Sequence, residues 1–155
     1  MSDKKMLAQQ VYQTVCAALE ARNWMFEKDE PNLIVHFGVR GKDLPINMIM
    51  IVDEDRQLIR VMSPLPFKIG ENKRVEGAIA ACVATYGMVE GSFDYDFYDG
   101  GIVFRMTASF CESTIGEGLI QYMISCTCSM VDKYNDMFLA LSKGLMSVQD
   151  FMKKE

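Results

Sequence analysis

Apolar positions recur at intervals of three and four over residues 4–22. Leu7, Val11, Val15, Ala18 and Leu19 form one stripe, and Gln9, Gln10, Gln13 and Glu20 lie off it. That period predicts an amphipathic helix, with Asn23 as its stop. The period then falls to two. Trp24, Met25 and Phe26 open a short strand, and Asp29, Glu30, Pro31 and Asn32 have turn chemistry. Residues 33–40 alternate, with Leu33, Val35, Phe37 and Val39 on one face and Ile34, His36, Gly38 and Arg40 on the other. Residues 46–52 are apolar on both faces, which places that strand centrally in a sheet. Residues 58–62 supply the next strand.

Residues 63–67 read Ser-Pro-Leu-Pro-Phe. Each proline lacks a backbone donor, so the segment is expected to be a connector folded over the sheet edge. A second helix is predicted over 72–86, burying Val75, Ile79, Cys82, Val83 and Tyr86. Its alanines keep it slim, and Gly87 is its expected left-handed stop. Phe93, Tyr95 and Phe97 then alternate with polar residues, Asp99-Gly100-Gly101 closes a hairpin, and residues 102–110 return. Ser113 is placed as the N-cap of a long final helix over 114–142, ended by Gly144, with residues 146–155 as a frayed tail. The order α-β-β-β-β-α-β-β-α predicts one α+β domain over residues 1–155. Its architecture is a twisted antiparallel sheet with helices packed mainly on one face.

The final helix is apolar over an unusually wide arc. One stripe runs Ile120, Ile124, Thr127, Val131, Tyr134, Phe138 and Leu141; an adjacent one runs Leu119, Met123, Cys126, Met130 and Met137. Together they span roughly 160°, where packing on a sheet needs ~100° or a little more. Two readings account for the width. The helix is inserted deeply into the core, or its methionine stripe meets another subunit or a client segment. Thirteen methionines in the chain suit an adaptable surface. On the second reading Met123, Met130 and Met137 form the contact surface, with Leu65 and Phe67 as secondary contacts. Met130→Glu would then break binding and leave the fold intact.

Composition narrows the chemistry. Sixteen Lys and Arg against 21 Asp and Glu give a net charge of −5, with no basic run, which argues against a nucleic-acid partner. No apolar run is long enough to span a bilayer, and no signal peptide pattern opens the chain. Five scattered cysteines without a C-x-x-C pair fit reduced thiols in the cytoplasm. His36, the one histidine, has no nucleophile at a recognisable elbow beside it. Residues 94–105 begin like a calcium loop, but Asp99 falls where a glycine is required and Arg105 where a bidentate glutamate is required. No phosphate-binding glycine loop occurs. The residues therefore predict no metal, no cofactor and no catalytic set. They point to a non-catalytic domain that binds a protein client, with an acidity suited to basic clients. The alternative is a small-ligand sensor or enzyme with a pocket between the final helix and the sheet, using His36 or Arg105 as its polar contact. A purely structural accessory subunit is a third possibility.

Three segments carry a resemblance: Gly91-Ser92-Phe93-Asp94-Tyr95-Asp96, then Asp99-Gly100-Gly101-Ile102-Val103-Phe104-Arg105, then a long helix reaching Asp132-Lys133-Tyr134. They resemble the G-x-[FY]-x-[ILY]-D strand, the D-G-x-[IVL]-x-[FL]-R return strand and the D-x-Y helix of the YbjN family, labelled bacterial sensory transduction regulators. The amino-terminal half matches in element order alone. The resemblance implies a fold like that of type III secretion chaperones, a homodimer, and capture of client segments. It carries over no catalytic residue.

Overall fold

The computed structural model describes residues 2–154. Helix α1 (Asp3–Ala21) starts where Ser2 accepts a hydrogen bond from the Lys5 amide at 3.2 Å. It buries Ala8, Val11, Tyr12, Val15, Cys16, Ala18 and Leu19, and Asn23 leaves it in the left-handed region at φ 57°. Strands β1 (Glu27–Asp29), β2 (Ile34–Val39), β3 (Ile46–Asp53) and β4 (Leu58–Lys68) follow. Then come α2 (Arg74–Tyr86), β5 (Ser92–Tyr95), β6 (Gly101–Ser109), α3 (Glu117–Ser142) and α4 (Val148–Lys154). The strands make one antiparallel sheet in the order β1-β2-β3-β4-β6-β5. This is the single α+β domain that the pattern predicted.

One parity of the sheet is buried. Val35, Met50, Val61 and Met106 stand side by side across β2, β3, β4 and β6, all at most 2% exposed. α1 and α3 pack on that face, with α2 against β5 and α3. The next row, Ile34, Ile51, Arg60 and Thr107, points the other way and is half-buried or exposed.

Four expectations are corrected. The 63–67 connector is strand: β4 runs through both prolines to Lys68, and Pro64 stands opposite Val103 on β6. Pairing with β3 stops at Met62, and the register with β6 shifts between Pro64 and Lys68. Prolines are tolerated there because one flank of the strand is an edge and the other a bulge. Helix α2 is turned over relative to its predicted stripe, as detailed below, and ends at Gly87 with φ −84° rather than a left-handed residue. The long helix starts at Glu117 with Gly116 as N-cap, not after Ser113. The tail is not frayed, since α4 seats Phe151 at 0% exposure. At the β5–β6 turn the glycine expectation holds. Gly100 sits at φ 78°, and a Cβ there would lie 2.0 Å from the Ile69 carbonyl oxygen.

Candidate binding surfaces

The wide arc of α3 is answered within the chain. On one side Gln121 donates to the Ala18 carbonyl of α1 at 2.8 Å. At 100° per residue the methionine stripe lies on the opposite side, toward α2 and α4, both of which pack on α3. Met123 is 0% exposed and Met137 8%; Met130 is half-buried against the core. α2 turns Gly77, Ala80, Ala81 and Ala84 inward, and Tyr95 and Ile69 close on Gly77. Met123 and Met137 are therefore core residues, not a free contact surface. Leu65 joins them at 7% exposed, on the buried parity of β4.

Phe67 is half-buried against the core. It lines a groove of about 700 Å³ with Pro64, Phe97, Tyr98, Asp99 and Val103, opened where the end of β4 bulges away from β6. Phe97 and Tyr98 are exposed at the hairpin tip. Two acids at its rim are ion-paired, Asp94 with Arg105 and Asp99 with Lys68, each at 2.9 Å, and a third, Asp96, accepts from the Tyr98 amide. The Lys68 ammonium and the Gly101 amide keep the Asp99 carboxyl below the ordinary carboxylate range.

The uncovered sheet face carries two apolar rows. Ile34 pairs with Ile51, and His36, Ile49, Met62 and Arg105 run across β2, β3, β4 and β6. Ile34, Ile49, Ile51 and Met62 are half-buried by their neighbours alone. A groove of about 470 Å³ adjoins them, lined by Met25, Phe26, His36, Gly38 and Asn47. His36 and Arg105 thus both lie on the face away from α3. The space between α3 and the sheet, where a ligand pocket was the alternative, is filled by side chains such as Phe104, Ile124, Val131 and Phe138, none over 1% exposed.

A second apolar surface is one that periodicity assigned to the core. Val75, Ile79, Cys82 and Tyr86 face outward along α2, Val75 at 59% and Tyr86 at 93% exposed. Val89 follows in the next turn. Tyr122 of α3 reaches the same flank, where its hydroxyl donates to Glu90. The signal that could have oriented α2 is its run of small residues. Gly77 and three alanines share one side, and only that side lets the helix approach Tyr95 and α3 closely.

Two further perturbed acid–base groups lie in a separate cleft. Tyr12 donates to the Ile34 carbonyl at 3.0 Å, and burial, reinforced by Cys16, pushes its phenol up to about 12. Burial raises the Cys16 thiol as well. Both line a cleft of about 460 Å³ with Gln9, Gln13, Glu20 and Lys28. A protonated phenol and thiol are poor nucleophiles. Among the described residues no group of three or more His, Cys, Asp or Glu is placed to hold a metal, and no helix is long and apolar enough to cross a membrane. A comparison with protein-family models finds no match, and a comparison with curated proteins finds none either.

Proposed function

We propose that this is a non-catalytic protein-binding domain, chaperone-like or regulatory, which captures an apolar segment of a partner protein on the uncovered face of its sheet. One observation carries the reading: Ile34, Ile49, Ile51 and Met62 stand together on adjacent strands with no helix among the described residues packed over them, beside a groove lined by Gly38. An extended or helical apolar segment laid there buries surface that the domain leaves half open. The net charge of −5 favours basic clients, and five free cysteines suit a reducing cytoplasm. The family resemblance points the same way.

The domain is further proposed to act as a homodimer through the outer stripe of α2, where Val75, Ile79 and Tyr86 would pair with their copies around a two-fold axis.

The test has two arms. A partner that co-purifies from native extract is expressed alone and titrated onto the wild type and onto Ile49→Glu. At least a tenfold loss of affinity with an unchanged fold supports the sheet face, and unchanged affinity overturns it. Light scattering on the wild type is expected to give twice the mass of one chain and on Ile79→Glu the mass of one. A wild type at single-chain mass rejects the dimer.

A further inference from the structure

The hairpin end of the uncovered sheet face is built differently from its centre. The row that holds Met62 and Arg105 is followed on the same parity by Pro64 opposite Val103, and Val103 stands opposite Asp94 on β5. Past that row β4 leaves its register with β6, and the groove of about 700 Å³ opens between Phe67 and the β5–β6 hairpin tip. Its rings are turned to solvent: Phe97 is 52% exposed and Tyr98 93%. Three carboxylates line it. Arg105 neutralises Asp94, and Lys68 neutralises Asp99. The Asp96 carboxylate accepts from the Tyr98 amide at 2.9 Å and has no ion pair among the described residues. Arg74, which reaches the hairpin from α2, donates to the Ile69, Phe97 and Tyr98 carbonyls and not to a carboxylate.

We infer that this groove is the anchor site for an arginine of the partner segment, with the guanidinium against Tyr98 and Phe97 and its charge on Asp96. The inference rests on the protein-binding reading for the source of the arginine, and adds where and by what chemistry the segment is fixed. Charge selects a cation, because the carboxylate without a counter-ion stands among rings whose faces attract positive charge. Shape selects a guanidinium over an ammonium. A guanidinium is planar and weakly hydrated, so it stacks on an aromatic face while its edge donates to a carboxylate; an ammonium is a strongly hydrated point charge. Pro64, Phe67 and Val103 give the methylene stem an apolar wall to lie along. Since the groove continues the row of Met62 and Arg105, a segment crossing Ile49 and Met62 reaches it without leaving the sheet.

The probe is N-acetyl-arginine amide, titrated onto the isotope-labelled full chain and followed through its amide resonances. Saturable shifts are expected at Phe67 and at residues 97–99. Asp96→Asn keeps the acceptor for the Tyr98 amide and removes the charge, and Tyr98→Ala removes the most exposed ring; both residues face solvent, so neither change threatens the fold. Each is expected to weaken the probe about threefold or more, and the neutral citrulline analogue is expected not to bind. No saturable shift, equal shifts with the citrulline analogue, or affinity indifferent to Asp96→Asn overturns the proposal. Spermidine saturating the same amides at a tenfold lower concentration would make a free polyamine the occupant and reject a partner's arginine. The two readings fail separately, because Ile49 lies outside the groove. A partner lost to Ile49→Glu but untouched by Asp96→Asn rejects the anchor and keeps the sheet face. A probe bound alike by the wild type and Ile49→Glu, and weakened by Asp96→Asn, supports the groove whatever becomes of that face.

Discussion

Gly77 lies so close beneath Tyr95 that a Cβ on it would fall 2.7 Å from the phenolic oxygen, and that same hydroxyl donates to the Arg74 carbonyl at 2.8 Å. The contact fixes which face of α2 points inward. Glycine to alanine within an ordinary helix gains about 1 kcal/mol. Here the added methyl displaces the Tyr95 hydroxyl from its acceptor, so Gly77→Ala is expected to destabilise by about 1–2 kcal/mol in urea unfolding. Tyr95→Phe in the Gly77→Ala background is expected to recover part of that loss. Additive effects of the two changes would mean that the residues do not compete for the same space.

That contact also marks the limit of what periodicity could read. The strands around Val35, Met50 and Phe104 were legible because a period of two leaves one buried parity, whichever elements cover it. The α2 stripe Val75, Ile79, Cys82 and Tyr86 has the spacing of a core face, yet close packing against Tyr95 selected the glycine and alanine side. Hydrophobicity ranks faces by transfer energy; it does not measure how near two backbones must come. The prolines of β4 misled for a related reason. Their missing donors matter only where a neighbouring strand needs them, and which flank of β4 is free is a fact of topology. Ile49 and Ile51 were visible as a second apolar parity of their strand, but not as an uncovered one, and Ile34 shares its face with His36 and Arg40.

The methionine stripe of α3 now makes a stability prediction. Met123 is fully buried, so Met123→Glu places a carboxylate in the core and is expected to cost more than about 4 kcal/mol or to prevent folding. Met130 is half-buried, and Met130→Glu is expected to cost about 1–3 kcal/mol. Urea midpoints by circular dichroism read both. A Met123→Glu chain as stable as the wild type would show that the stripe faces solvent.

Asn135 is 0% exposed on α3, and neither atom of its carboxamide has a hydrogen-bond partner among the described residues. An unsatisfied buried amide costs about 1–3 kcal/mol against an apolar group of similar size. Asn135→Leu is therefore expected to raise stability by about 1–2 kcal/mol, a gain read as a higher urea midpoint at unchanged slope. A loss of stability would mean that the carboxamide is satisfied in solution, and that the site has no room for a leucine.

Tyr12 gives the fold an alkaline limit. Its phenol is pushed up to about 12 by burial first and by Cys16 next, while the unfolded chain titrates at the ordinary value of 10.0. A raised folded value means that the protonated phenol belongs to the native state. Its contribution is complete below pH 10 and is lost as the pH rises toward 12. Tyr95, also raised by burial, acts in the same direction. Stability measured by urea unfolding is expected to be flat with respect to this group near neutrality and to fall between pH 10 and 12. Tyr12→Phe is expected to lose about 1 kcal/mol at pH 7, where it forfeits the bond to the Ile34 carbonyl, and to show a shallower alkaline slope. An alkaline slope unchanged by Tyr12→Phe would assign the limit to other groups and would place the Tyr12 hydroxyl in water.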